Sequence, residues 1–344
     1  MADDRTTVTE LATALGTLPY ASLTSALRAR PGELDIGAGH WDLLAALHRN
    51  GAYPAEFATA YENGRVFAAA GEALRGRPPR LVEWTGGRRP PGDEVAPIDL
   101  RIDHVYLVSC KYLSKNVANA SPARVFEGRL ATSGDWTRGD WYGLVAPDEH
   151  RALYRAALAA TGLGDLPGDP DGLSAGDRAR VRDALRPRAW PDAETAAAYE
   201  ALCRRVSTVS ADRWRRGLAT PGQRELLLWR LLRIGNASYF LLGADQQRSL
   251  RLRVGSSWDW RRSFKLASFE IEAAGVGQPQ VDWRAGVVET GTGMRREVAG
   301  HVEVRWSHGR FSGPPEAKVY LDTASGELPG YFPLEQREHQ PGLW

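Results

Sequence analysis

Cysteine, lysine and methionine are scarce in this 344-residue chain. The two cysteines, Cys110 and Cys203, cannot build a disulfide framework or a cysteine-based zinc site. The seven histidines show no spacing typical of a zinc-binding helix. Unpaired cysteines are typical of proteins that stay in a reducing compartment. We therefore expect a cytoplasmic protein whose fold depends on an ordinary apolar core.

Long apolar runs and a secretion signal are also missing. The strongest apolar run, 226–234, contains Arg230 and Arg233 and is too short to span a bilayer. The first residues, Met-Ala-Asp-Asp-Arg-Thr-Thr, lack the basic and apolar segments of a signal peptide. The sequence thus predicts a soluble protein without a membrane partner.

The charge is nearly balanced at +2, and only four of the 44 basic residues are lysines. An excess of arginine is common when the coding DNA is GC-rich, so the scarcity of lysine is only weak evidence that a particular lysine is functional. A hydrophobic content of 43% is ordinary for a globular protein. The length allows two domains, or three, each with its own core.

The most informative stretch lies between residues 95 and 115. Residues 98–103 alternate apolar and polar, which is the period of a half-buried strand. Residues 105–108 are apolar on both faces, as in a covered strand, and lead into Ser109-Cys110-Lys111. Ser109 and Lys111 share one strand face, and a neighbouring strand could bring Asp99 beside them. Since a buried charge needs a partner or an ion, this pattern predicts a functional site.

Asp99 followed by Ser109-x-Lys111 resembles the D…(D/E)xK core of the restriction-endonuclease-like PD-(D/E)xK nuclease superfamily, in its variant with serine before lysine. The resemblance covers roughly residues 53–145. It implies an α/β core of αβββαβ order: a helix at 57–74 carrying Glu62, strands at 80–84, 98–103 and 105–112, a helix starting at Ser121, and a strand at 141–145.

The same resemblance implies a catalytic set of Asp99, Ser109, Lys111 and Glu62, with Mg²⁺ or Mn²⁺ held by Asp99, Glu62 and Asp103. Such a metal activates water and neutralises charge on the phosphate, and the lysine assists. Alternatives stay open for each residue. Glu62 could be solvated, Asp103 could cap a turn, and Lys111 could form a structural salt bridge with Asp99.

The rest of the chain divides by composition. We expect a nuclease-like α/β domain with amino-terminal helices at 1–146, a helical region at 147–247 and a β-rich carboxy-terminal domain at 248–344. A second acid-x-lysine motif, Glu316-Ala-Lys318, lies in the last of these segments. It follows two prolines and has no helix-borne glutamate clearly ahead of it, so we expect an exposed surface pair.

Arginines suggest a polyanionic partner. Residues 204–262 contain 13 arginines and four acids, and arginine forks suit phosphates. A solvated surface balanced by acids elsewhere is the alternative. The candidate DNA contacts are Arg88, Arg89, Arg215, Arg216, Arg251, Arg253, Arg261 and Arg262.

These patterns together predict a metal-dependent endonuclease that hydrolyses DNA. The resemblance implies a bacterial restriction or anti-phage defence system, with the chain acting as a homodimer or beside a partner protein. A non-catalytic nucleic-acid-binding or scaffold subunit that retains the nuclease fold is the alternative, because Ser109 supplies less metal-binding charge than a carboxylate. A nuclease acting on RNA is a third hypothesis.

Overall fold

A computed structural model describes residues 4–86, 98–112, 116–127, 139–187, 189–245, 248–275 and 277–334. In these ranges the helices are α1 (Asp4–Gly16), α2 (Leu23–Ala29), α3 (Ala38–Arg49), α4 (Pro54–Ala69), α5 (Pro122–Phe126), α6 (Trp141–Val145), α7 (Pro147–Thr161), α8 (Ala175–Ala184), α9 (Ala193–Gly217), α10 (Pro221–Leu231) and α11 (Ser257–Ser263).

The strands in the same ranges form two sheets, one of seven strands and one of five. They are β1 (Leu34–Asp35), β2 (Val82–Trp84), β3 (Leu100–Ile102), β4 (Tyr106–Tyr112), β5 (Asn116–Ala120), β6 (Tyr239–Asp245), β7 (Arg248–Val254), β8 (Phe264–Ala273), β9 (Gln280–Glu289), β10 (Arg295–Arg305), β11 (Glu316–Leu321) and β12 (Tyr331–Pro333). The fold is therefore mixed α/β.

The chain forms two compact units, and each is discontinuous in sequence. The first contains 1–115, 233–264 and 324–344, and the second contains 116–232 and 265–323. The units do not follow the three consecutive segments that composition predicted. The reason is that β6 and β7 return the chain to the first sheet after a long excursion.

The first unit contains the seven-stranded sheet in the order β1-β2-β3-β4-β6-β7-β12. β2, β3 and β4 form an antiparallel meander, as the alternating pattern predicted. β6 then pairs with β4 in parallel. Parallel neighbours need a long crossover connection, and here the connection contains the first segment of the second unit, residues 116–232.

Helices α1 and α4 belong to the same apolar core as β3 and β4. They approach each other through Gly16 and Gly64. A Cβ atom on Gly16 would overlap the backbone of Tyr61, and one on Gly64 would overlap the carbonyl oxygen of Thr13. Glycine therefore sets the short distance between these helices, and that distance brings α1 close to the sheet.

The second unit contains the five-stranded sheet in the order β5-β11-β10-β9-β8. β9, β10 and β11 alternate strictly, with inward residues such as Val281, Val302 and Val319 buried. Helices α5 to α10 belong to this unit. The β-rich character predicted for 248–344 is present, but β7 and β12 join the first sheet.

The strand predicted at 141–145 is the short helix α6. Asp140 explains the difference, because its carboxylate accepts a hydrogen bond from the backbone N–H of Tyr142 (2.9 Å) and caps the helix. In the seven-stranded sheet, the strand beside the meander is β6 instead. Across the described ranges, no helix combines the length and apolar character needed to cross a bilayer.

Candidate functional site

Asp99 lies at the point where the chain enters β3, across from Ser109 in the middle of β4. Its Oδ2 atom accepts a hydrogen bond from the backbone N–H of Cys110 (2.6 Å) and contacts the hydroxyl of Ser109 (3.3 Å). The backbone N–H of Asp99 donates to the carbonyl of Val108 (2.9 Å). The meander therefore fixes Asp99 beside Ser109, as the spacing predicted.

β4 places its side chains on alternate faces of the sheet. Cys110 packs against the core that contains α1 and α4, so Ser109 and Lys111 project from the opposite face. Lys111 pairs with Gly243 of β6, where a Cβ atom would overlap the carbonyl oxygen of Lys111. Ser109 is fully buried. Backbone packing thus holds both residues in place.

A glutamate that the sequence analysis assigned no role joins this cluster. Glu10 of α1 is buried, and its Oε2 atom accepts a hydrogen bond from the indole N–H of Trp84 (2.6 Å). Burial raises the pKa of Glu10 from 4.5 to about 7, and the Asp99 carboxylate adds to the rise. The Trp84 hydrogen bond and the charge of Lys111 act in the opposite direction.

These electrostatic effects show that the charges of Asp99 and Lys111 act on the Glu10 carboxylate. The three residues come from a helix, a strand entry and a central strand that lie far apart in sequence. A buried carboxylate whose pKa responds to a half-buried carboxylate and a lysine is the kind of arrangement found at functional sites.

Glu62, the predicted helix-borne acid, is exposed on α4. Its neighbour Asn63 is the residue that faces the sheet. Asn63 is fully buried and donates to the carbonyl of Gly243 (2.8 Å) and to the hydroxyl of Tyr112 (3.0 Å). The Asn63 amide oxygen accepts from Nε of Arg251 (2.9 Å). The helix-borne acid on which the charges of Asp99 and Lys111 act is Glu10 of α1.

A signal for Glu10 was present in the sequence. Between Arg5 and Arg28 it is the only charged residue. Its position three residues after Thr7 resembles a capping box, which suggests a helix starting at Thr7. The helix starts instead at Asp4, so Glu10 lies in its interior, where all residues from Thr7 to Gly16 are buried. An isolated carboxylate there needs a partner.

Asp103 lies in the β3–β4 turn, and its side chain ties that turn to the residues just before β2. Its Oδ1 atom accepts from the backbone N–H groups of Arg80 (2.8 Å) and Leu81 (3.0 Å). Asp103 and His104 both have positive φ, 49° and 57°, which aspartate tolerates better than most residues. This structural role accounts for both the position and the backbone conformation of Asp103.

No three histidine, cysteine, aspartate or glutamate side chains converge to hold a metal ion in the part of the chain that the structure describes. Mg²⁺, however, is often bound by one or two carboxylates together with several waters. Glu10 and Asp99 supply two such groups, and the raised pKa of Glu10 is a cost that a cation would relieve. The donor set therefore fits a hard divalent cation.

The predicted DNA-contacting arginines have varied surroundings. Arg88 and Arg89 lie outside the described residues. Arg251 is half-buried on Asn63, and Arg253 lies over the ring of Phe332 (5.0 Å). In the second unit, Arg215 bonds Asp212 and the carbonyl of Ile271, and Arg216 is exposed.

Arg261 and Arg262 are exposed at the end of α11. The guanidinium of Arg262 lies over the ring of Trp258 at 4.7 Å, and Trp258 is 63% exposed. An exposed tryptophan under an arginine offers a stacking surface and a phosphate contact together. Of the described candidates, this pair combines both chemistries on an open surface.

Glu316 and Lys318 lie two apart on β11 in the second unit. The Glu316 carboxylate is bound by the hydroxyl of Ser307 and by the amide of Asn119 (3.1 Å). The Ser307 hydrogen bond is the largest cause that lowers the pKa of Glu316. These hydrogen bonds favour the charged form of Glu316, and both side chains are half-buried, whereas the sequence predicted an exposed pair.

No protein-family model, curated protein or solved structure matches this chain.

Proposed function

We propose that the protein is a metal-dependent nuclease that hydrolyses DNA phosphodiester bonds at the Glu10–Asp99–Lys111 site. The observation that carries the proposal is that the charges of Asp99 and Lys111, from a strand entry and a central strand, act on the buried carboxylate of Glu10 from α1. Structural salt bridges need only one acid. A second, buried acid with a raised pKa adds a repulsion that folding alone does not require.

Asp99 and Glu10 would hold Mg²⁺ or Mn²⁺, and when bound the cation supplies an acidified water and neutralises charge that builds up on the phosphate. Asp99 is oriented for this by the Cys110 amide and the Ser109 hydroxyl. Trp84 holds the Glu10 carboxylate in position. These contacts hold one oxygen of each carboxylate, Asp99 Oδ2 and Glu10 Oε2, in place before the substrate arrives. The two carboxylates therefore need little rearrangement during the reaction.

Lys111 provides the positive charge of the site. Phosphodiester cleavage places extra negative charge on the phosphoryl oxygens, and an ammonium group stabilises that charge in a site from which water is excluded. Gly243 lets β6 approach β4 closely at Lys111, so the β6 backbone packs against that of the lysine. The ammonium of Lys111 also balances part of the charge of Glu10.

The defence setting, a restriction or anti-phage system, rests on the family resemblance of Asp99 and Ser109-x-Lys111. A homodimer or a partner protein would supply a second active site for cutting duplex DNA. The proposal places DNA recognition on the exposed arginines, of which Arg261 and Arg262 beside Trp258 are the best candidates.

A non-catalytic nucleic-acid-binding subunit is the second candidate. The buried hydroxyl of Ser109 stands where a carboxylate is common in the superfamily, and it hydrogen-bonds Asp99 instead of adding charge. In that case the fold would present DNA to another protein. DNA binding without cleavage distinguishes this function from the first.

The test is to incubate the purified full chain with plasmid DNA and with single-stranded DNA in Mg²⁺, Mn²⁺ or EDTA. We expect cleavage in either metal, none in EDTA, and none by Asp99→Asn. DNA binding without cleavage in any metal would favour the non-catalytic subunit. Cleavage that persists in EDTA or in Asp99→Asn would place the chemistry elsewhere.

A further inference from the structure

A cavity of about 550 Å³ lies in the second unit, and aromatic side chains form much of its wall. They are Trp190, Tyr199 and Trp306. The volume falls within the roughly 300–1,000 Å³ typical of small-molecule sites. The cavity lies in a different unit from Glu10, Asp99 and Lys111, so the proposed cleavage chemistry does not account for it.

The aromatic walls are held from behind. Trp190 packs against Tyr199 with ring centroids 4.8 Å apart. Trp306 packs against Tyr142 and Phe311, at 4.7 and 4.8 Å. The indole N–H of Trp306 is buried and has no hydrogen-bond partner among the described residues. Two indole rings, each packed against other aromatic rings, therefore face one cavity. The buried N–H donor of one of them, Trp306, makes no hydrogen bond within the described residues.

Arginine is the second component of the site. The guanidinium of Arg310 lies 3.8 Å from the ring centroid of Trp190, and its Nη1 atom donates to the carbonyls of Leu185 (3.2 Å) and Pro187 (3.1 Å). These bonds fix the plane of Arg310 on the tryptophan. Arg305 also lines the cavity.

An adjoining cavity of about 570 Å³ shares Trp306 and Arg310 with the first. Its wall adds two more arginines, Arg182 and Arg186, and both are exposed. Arg182 bonds Asp183 (2.9 Å). An aromatic chamber and a cationic chamber therefore meet at one tryptophan and one arginine.

We propose that these joined cavities bind a nucleotide, with the base in the aromatic chamber and the phosphate in the cationic one. Every nucleobase has a π-face that stacks on tryptophan, and arginine forks suit phosphate oxygens. Glu200 and Gln278 line the aromatic chamber and offer hydrogen-bond acceptors to the amino groups of a base. The ligand is either a free nucleotide or one nucleotide of a DNA strand, since the chemistry is shared.

The experiment is calorimetric titration of the full chain, in EDTA so that cleavage cannot intervene. The probes are the four deoxynucleoside monophosphates, the matching deoxynucleosides and a short single-stranded oligonucleotide. The variants are Trp190→Ala, Trp190→Phe and Arg186→Gln. Trp258→Ala is the matched control for the monophosphates, because Trp258 also lies under an arginine but lines neither cavity.

We expect Trp190→Ala to weaken binding roughly 5- to 150-fold, as loss of one base–aromatic stack does, and Trp190→Phe to restore most of it. Arg186→Gln, an exposed change that leaves the core intact, should weaken nucleotides but not nucleosides. Binding of monophosphates with this pattern identifies a free nucleotide as the ligand. Binding of the oligonucleotide alone, with the same pattern, identifies a nucleotide within a strand.

Absence of binding by every probe would overturn the proposal. So would an affinity that neither Trp190→Ala nor Arg186→Gln changes. If Trp190→Ala unfolds, Trp190→Phe and Arg186→Gln still decide the question. Because the titrations use EDTA and a site in the other unit, failure here leaves the nuclease proposal intact, and failure of the nuclease proposal leaves this one intact.

Discussion

Each unit of the molecule carries a strand that contains a polar residue, one further residue and a lysine, yet the two motifs have opposite surroundings. Lys111 shares its site with Asp99 and with the buried Glu10, whose pKa rises to about 7. Glu316 lies on a sheet surface among hydroxyl and amide donors that lower its pKa. A three-residue motif thus predicts little until distant elements converge on it.

The largest effect should be the loss of DNA cleavage when Asp99 or Lys111 is changed, compared with changes at Glu316 and Lys318. Asp99→Asn and Lys111→Ala should each reduce DNA cleavage about 100- to 1,000-fold, the usual loss when one preorganised electrostatic group is removed. Glu316→Gln and Lys318→Ala, the matched pair in the other unit, should leave the rate unchanged. Initial rates on plasmid DNA at saturating Mg²⁺ provide the measurement.

Melting temperatures of all four variants must be close to that of the unaltered protein for the comparison to count. Ser109→Ala should be milder than Asp99→Asn, because the Cys110 amide still holds Asp99. If Glu316→Gln abolished cleavage while Lys111→Ala did not, the active site would belong to the second sheet.

Glu10 and Glu62 allow a second test within the first unit. Glu10→Gln should lower the cleavage rate about 100-fold, since it removes a carboxylate from the proposed metal site. Glu62→Gln changes an exposed side chain and should have no measurable effect. The reverse result would restore Glu62 as the helix-borne acid.

The dependence of stability on pH should differ between wild type and Glu10→Gln. The pKa of Glu10 is about 7 in the folded chain and near 4.5 when unfolded, so between these values the folded state binds more protons. The free energy of unfolding should therefore fall as pH rises from about 4.5 to 7, by roughly 3 kcal/mol from this group. Urea titrations in EDTA from pH 5 to pH 8 measure it.

The difference between wild type and Glu10→Gln isolates this group, because other titrations cancel. Mg²⁺ added at pH 8 should recover stability in wild type and not in the variant, since the cation favours the ionised carboxylate. Parallel pH curves for the two proteins would mean that Glu10 has an ordinary pKa in the folded chain.

Two asparagines make a smaller, purely structural comparison. Asn63→Ala should lower the free energy of unfolding by about 2–3 kcal/mol, because Arg251 and the Gly243 carbonyl lose a buried partner. Asn119 is an exposed amide on the second sheet that contacts Glu316. Changing it to alanine should lower the free energy of unfolding by less than about 0.5 kcal/mol. Equal losses would contradict the burial of the Asn63 network.

The smallest effect concerns salt. Changing Arg261 and Arg262 to glutamine should reduce the slope of log affinity against log salt by about 1.8 for duplex DNA, since each phosphate contact contributes about 0.9. Arg215→Gln, whose guanidinium bonds Asp212 and Ile271, should change it less. Filter-binding titrations over a range of salt concentrations measure the slope. An unchanged slope in the double variant would mark α11 as a solvated surface.

Local patterns predicted the elements better than their arrangement. The alternation at 98–103 and the spacing from Asp99 to Lys111 gave the meander and the pairing of Asp99 with Ser109. Glu10 was missed because its partners lie some 90 and 100 residues away, and no local pattern encodes such contacts. The helix at 141–145 was missed because the Asp140 cap prevails over the β propensity of Trp141 and Tyr142.

The parallel pairing of β4 with β6 also determines how early the proposed site can form while the chain is being synthesised. β6 begins at Tyr239, so a ribosome has to translate about two thirds of the chain before β4 gains its second neighbouring strand. Long-range pairing of this kind forms late because the intervening loop must close first. A nascent chain therefore lacks a finished form of the proposed Glu10–Asp99–Lys111 site until β6 has been synthesised.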